Sequence, residues 1–228
     1  MSGVAPKLEM LPDGQRQIWT RLDATPDHFV LYGGTALALR LGHRESIDFD
    51  FFSCRSFQPL ELARSVSYLK DQIITQQGEN TLSCDISTQA GPVKVSFFGA
   101  LSLGQIEPPD LVESNNVAIA SLRDLMGTKC ATIPQRAEMK DYLDIDALIR
   151  TAGINLSEGL ACAKAIYGRQ YNPMLTLQAL SYFNDLHGSL APDVQSRLLA
   201  AVKSVSLQKL PEMTASRKIG DGVQRENS

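Results

Sequence analysis

LYGGTALALRLGHRESIDFDFFS, residues 31–53, decides the fold. The apolar run Phe29-Val30-Leu31-Tyr32 reads as a buried strand and ends at Gly33-Gly34. Thr35–Leu41 (TALALRL) is rich in alanine and leucine, strong helix formers, and Gly42 stops it. Ile47–Phe52 (IDFDFF) alternates acids with aromatics, the period of a second strand. A strand running into two glycines lets the backbone approach a bulky anion, because no Cβ intervenes. The helix that follows presents unpaired N–H groups and a partial positive charge to that anion. Gly33, Gly34 and the Thr35 hydroxyl therefore read as a phosphate seat.

Asp48 and Asp50 are two residues apart in the second strand, so both side chains leave the same face. Their Cα atoms are expected about 6.6 Å apart, from a rise of about 3.3 Å per residue. Carboxylates at that spacing can share one divalent ion or flank a pair. Magnesium, with manganese as the alternative, prefers such carboxylates together with substrate phosphates. Phosphate seat and metal-binding acids then meet over one nucleoside triphosphate. Arg40 and Arg44 flank the seat. They either bind the triphosphate by bidentate contacts or pair with Glu45 and the aspartates. An EF-hand is excluded, because Pro59 stands where the twelfth ligand would be. The P-loop motif is absent.

Working outward, Gln15–Leu22 reads as a short helix capped by Asp13, and Leu60–Ile74 as a long one. Thr81–Ser87 and Val93–Phe98 read as strands joined by a turn at 88–92. Past about residue 115 the pattern is helical: Ser121–Thr132, Glu138–Thr151, Ser157–Tyr167, Leu175–Leu186 and Pro192–Val205. The expected fold class is α+β. A small mixed, mostly antiparallel sheet with flanking helices occupies 1–114, a helical bundle 115–213, and a polar, aperiodic, disordered tail 214–228.

Composition excludes several classes. The chain has 228 residues, 43% hydrophobic and 21% charged, ordinary for a globular protein with a core. A net charge of −3 argues against a coat of positive charge for non-specific nucleic-acid binding, though not against a local basic patch. Cys54, Cys84, Cys130 and Cys162 form no CxxC pair, so reduced thiols in a cytoplasmic protein are expected. Residues 1–10 hold Lys7 and Glu9 and lack the apolar core of a secretory signal. No run approaches the length of a membrane helix, so no membrane partner is expected. His28 and His187 stand alone and carry no signal.

An apolar residue, Gly-Gly, a spacer and Asp-apolar-Asp resemble the signature of the polymerase-β-type nucleotidyltransferase superfamily. Within it, GGTALALRLGHR followed by DFDFF resembles the AbiEii/AbiGii toxin family, and Lys129, Arg136 and the KDYLDI run at 140–145 are similar to its later motif. The resemblance implies a minimal nucleotidyltransferase fold and an enzyme that moves a nucleotide from a triphosphate to a hydroxyl, with magnesium. It implies catalytic roles for Asp48, Asp50, Lys129 and Asp141, and nucleotide contacts for Lys140. The implied setting is a toxin of a toxin–antitoxin or phage-defence pair, with an RNA or tRNA 3′ end as acceptor and a cognate antitoxin as partner. One departure stands out. The superfamily's third carboxylate comes from a later strand, and the matching position here is Ser96. Asp85, Asp141 or Asp144 would have to complete the site. The alternative is a non-catalytic nucleotide- or partner-binding module of the same fold.

Overall fold

The computed structural model describes residues 5–136, 138–184, 186, 188–221 and 223. The chain divides into two compact units, Met1–Leu103 with Pro108–Ser121 and Arg217–Ser228, and Gly104–Glu107 with Leu122–Ser216. His187 lies outside the described residues.

The first unit is built on β1 (Val30–Tyr32), β2 (Asp48–Phe52), β3 (Ile73–Gly78), β4 (Thr81–Ile86) and β5 (Val93–Phe98). After the short β6 (Gly104–Gln105) of the second unit come β7 (Asp110–Leu111) and β8 (Ala118–Ile119). Seven of these strands form one sheet in the order β3-β4-β5-β2-β1-β8-β7. The β2–β5 and β1–β8 pairs are parallel and the others antiparallel, so the sheet is mixed and mostly antiparallel as expected. Helix α1 (Asp13–Trp19) covers the face opposite the aspartates, with Trp19 stacked on Phe49 at a centroid distance of 6.2 Å. Phe97 packs between Phe29 and Phe51 on that face, at 5.0 and 5.3 Å. Helix α2 (Gly33–Leu41) follows β1 directly and ends at Gly42, whose φ of 66° is the left-handed cap anticipated there.

Four expectations are corrected. Asp13 does not cap α1: Pro12 holds that place, and Asp13 sits in the first turn paired with Arg16. The long helix at 60–74 is α3 (Pro59–Ser65), a turn of 3-10 helix at Ser67–Leu69, and the start of β3. Its helical spacing of apolar residues was real only to Leu69; Ile73 and Ile74 stand exposed on an edge strand. The tail is not aperiodic throughout. Arg217–Lys218 form β9, and the fully buried Ile219 accepts a hydrogen bond from the Cys54 N–H at 2.8 Å. The helical unit starts at Leu122 rather than near 115, because the two-residue β8 first joins the sheet.

The second unit contains α4 (Leu122–Thr132), α5 (Met139–Ala152), α6 (Leu156–Tyr167), α7 (Pro173–Ala179) and α8 (Pro192–Ser204). Helices α4 and α6 approach closely because Gly127 faces the backbone of Cys162 and Ala163, where a Cβ would come within 3.0 Å. Helix α7 ends seven residues short of the expected Leu186, at Ala179. No helix among the described residues is long and apolar enough to cross a membrane.

Candidate active site

Strand register assembles the site on the sheet face. Asp50 pairs with Tyr32 on β1 and with Ser96 on β5, and Ser96 pairs with Ser83 on β4. One step toward the start of β2, Asp48 pairs with Lys94, and Lys94 with Asp85. In-register partners share a face. That face therefore carries the row Asp85–Lys94–Asp48 beside the row Ser83–Ser96–Asp50. The opposite face holds Phe49, Phe51, Val95 and Phe97, all with no exposure. The alternation of acid with aromatic is what fixes the face, since a slip of one residue would bury both carboxylates.

Gly33 and Gly34 meet this face at the junction of β1 and α2. Gly33 has φ +73°, in the left-handed region, and a Cβ there would lie 2.8 Å from Asp50 Oδ2. A Cβ on Gly34 would lie 2.7 Å from both Arg44 Nη2 and Ser46 Oγ. The two glycines thus bring the helix start against the Asp50 carboxylate and beneath the Arg44 guanidinium. Gly33→Ala is expected to cost about 1–2 kcal/mol of stability from the left-handed backbone alone. It should also displace the carboxylate and lower turnover at least about tenfold, about 1.4 kcal/mol. Urea unfolding and steady-state kinetics on the same preparation check both.

Two expected nucleotide contacts are reassigned. The Thr35 side chain is fully buried and its Oγ1 donates to the Asp48 carbonyl, so it ties α2 to β2 and positions Asp48 instead of facing a phosphate. Arg40 turns away from the seat. Its Nε donates to Ala120 O at 2.7 Å, and its Nη2 to Ile119 O at 2.9 Å and Asp110 Oδ2 at 2.8 Å. These contacts clamp β7 and β8 onto the sheet. Arg40→Ala is expected to lower stability by about 2–3 kcal/mol, the scale of a hydrogen bond to a charged group. Nucleotide affinity of the folded protein should not change. Isothermal titration beside a denaturant curve separates the two effects.

In the helical unit, a second set of charges is buried together. Lys129 on α4 is 5% exposed, and Asp141 and Asp144 on α5 are 0% exposed. Lys129 Nζ lies 2.7 Å from Asp141 Oδ1 and 2.6 Å from Asp144 Oδ2. Arg136 donates through Nε at 2.9 Å and Nη2 at 3.2 Å to the two oxygens of Asp141. Asp141 and Asp144, three apart, share one helix face. Lys140 points elsewhere, exposed and paired with Glu138 at 2.7 Å.

A divalent ion fits the sheet face. Asp48 and Asp50 supply two carboxylates on one face of β2, and Gly33, lacking a Cβ, lets the start of α2 come close to Asp50 Oδ2. One or two carboxylates plus substrate phosphates satisfy magnesium. No group of three or more His, Cys, Asp or Glu suited to a metal occurs among the described residues. Ser96 instead accepts a hydrogen bond from Ser83 at 3.0 Å, both hydroxyls buried. Asp85 does not take the third position, since it stands in the row of Lys94. The sequence reading missed Lys94. Its place beside Asp48 follows only from the parallel β2–β5 register, which no local pattern encodes.

A family model described as the AbiEii nucleotidyl transferase toxin of a type IV toxin–antitoxin system matches residues 17–208. An uncharacterized protein of Aquifex aeolicus is 32% identical over 169 residues, 73% of this chain and 79% of that protein. MenT4, a nucleotidyltransferase toxin from Mycobacterium tuberculosis, shares the fold with a TM-score of 0.59 and 17% identity, over 85% of this chain and 83% of its own. An H. pylori protein assigned as a nucleotidyltransferase does so with a TM-score of 0.52 and 19% identity, over 83% and 90%.

Proposed function

We propose that this chain, which belongs to the AbiEii nucleotidyltransferase toxin family, moves a nucleoside monophosphate from a nucleoside triphosphate to the 3′ hydroxyl of an RNA, with a tRNA end as the acceptor that fits the reading best. The observation that carries it is the contact at the strand end. Asp50 Oδ2 lies 2.8 Å from where a Gly33 Cβ would be, so the start of α2 comes directly against the Asp50 carboxylate.

Each part then has a task. Backbone N–H groups at Gly33 and Gly34 hold the phosphates, with the Arg44 guanidinium beside them. Asp48 and Asp50 would hold a magnesium ion. When bound, that ion neutralises charge on the triphosphate and polarises it toward attack. Thr35 keeps Asp48 in register with the helix start. The acceptor hydroxyl attacks the α-phosphorus and pyrophosphate leaves, with positioning and electrostatics supplying most of the catalysis. The family's setting in type IV toxin–antitoxin systems makes a cognate antitoxin the expected genetic partner and the cytoplasm the place of action.

Incubation with each labelled nucleoside triphosphate and bulk RNA tests the reading. Label transferred to RNA supports it and identifies both nucleotide and acceptor. Nucleotide binding without transfer to any RNA would favour a binding module of the same fold instead.

A further inference from the structure

Three features of the sheet face bear on how the triphosphate charge is met. First, β5, the strand beside Asp48 and Asp50, offers no third carboxylate, and Asp85 lies one strand further off, on β4 beyond Lys94. The position in register with Asp50 on β5 is Ser96, whose hydroxyl is occupied by Ser83. A second divalent ion would lack the anion that normally anchors it, and a hydroxyl already bonded and buried is a poor replacement. Second, Lys94 stands in register with Asp48 on the adjacent parallel strand, about 4.8 Å away at the backbone. Third, Lys94 is exposed and makes no ion pair among the described residues, although Asp48 and Asp85 flank it in the same row. A lysine between two carboxylates that pairs with neither leaves its ammonium available to a further anion.

We propose that Lys94 takes the place of a second cation: the site works with one divalent ion on Asp48 and Asp50, and the Lys94 ammonium meets the triphosphate beside it. This rests on the nucleotidyltransferase reading given above and adds to it the number of ions and a further phosphate-binding residue. An ammonium is a compact, strongly hydrated point charge with three donors, suited to non-bridging phosphate oxygens. It is fixed to the strand that carries the serine, so the loss of the third acid and the presence of the lysine act on the same few ångströms of the site.

The test counts ions and measures nucleotide affinity, apart from turnover. The wild-type chain, saturated with a non-hydrolysable α,β-methylene triphosphate, is titrated with manganese, and bound ions are counted by electron paramagnetic resonance. About one ion per chain beyond that carried by free nucleotide is expected; two would overturn the proposal. In EDTA, triphosphate affinity of Lys94→Ala should fall about tenfold, the scale of one charge-assisted contact, while Lys94→Arg should stay within about twofold. Unchanged affinity in Lys94→Ala would also overturn it. Failure of the underlying reading looks different: the wild-type chain would then bind no nucleoside triphosphate with or without metal, which overturns both.

Discussion

Asp48→Asn and Asp50→Asn are each expected to lower nucleotide transfer at least about a thousandfold, about 4 kcal/mol of transition-state stabilisation. Both carboxylates leave one face of β2, and Asp50 Oδ2 lies against the Gly33 corner. Replacing either oxygen by an amide removes half the charge that holds the ion. The fold should survive. The Asp48 side chain makes no ion pair among the described residues, so its neutral replacement should shift stability by no more than about 0.5 kcal/mol. Single-turnover kinetics with labelled triphosphate, beside a thermal melt, checks both halves. Near-normal transfer by either variant would remove that carboxylate from the metal site.

Lys129→Ala is expected to lower stability. Its ammonium sits between Asp141 and Asp144, all three buried, at 2.7 and 2.6 Å. Arg136 still serves Asp141, but the lysine is the group that both carboxylates share. Removing one partner of a buried ion pair costs about 3–5 kcal/mol, because the remaining charges lose compensation without regaining water. A urea midpoint should register that loss. A variant as stable as the parent would mean that the cluster contributes nothing to the fold. Asp141→Ala, read the same way, should also lower stability, because Lys129 and Arg136 both lose a carboxylate partner.

The part of the site that local sequence could reveal is the part made by neighbours in the chain. Gly33-Gly34, the helix after them and the Asp48–Asp50 alternation are a continuous stretch, and each device there has its own periodic or conformational signature. The pairing of Lys129 with Asp141 could be anticipated only as a shared association with the reaction. The structure shows in addition that they touch. What escaped the sequence was set by long-range partners. Arg40 has the spacing of a phosphate ligand, but its bonds go to residues 70 to 80 positions away. Thr35 is a hydroxyl at a helix start, yet β2 captures it. Lys94 lies in a strand that was correctly located, but its neighbour is decided by a parallel register. Strands of two residues, β6 to β9, are too short for any period to show. Residues 70–74 were misread because an exposed edge strand after a helix can continue the helix's apolar spacing.

The central claim is that the chain transfers the α-phosphorus of a nucleoside triphosphate, with the sheet face as the centre of the reaction. It is tested most directly by position of label. The protein is incubated with tRNA and magnesium and with each nucleoside triphosphate labelled in turn at the α- and the γ-phosphorus. The account predicts label on RNA from the α-position only, pyrophosphate as the released product, and loss of both in Asp50→Asn. Label from the γ-position on RNA, or transfer that persists in Asp50→Asn, would contradict it.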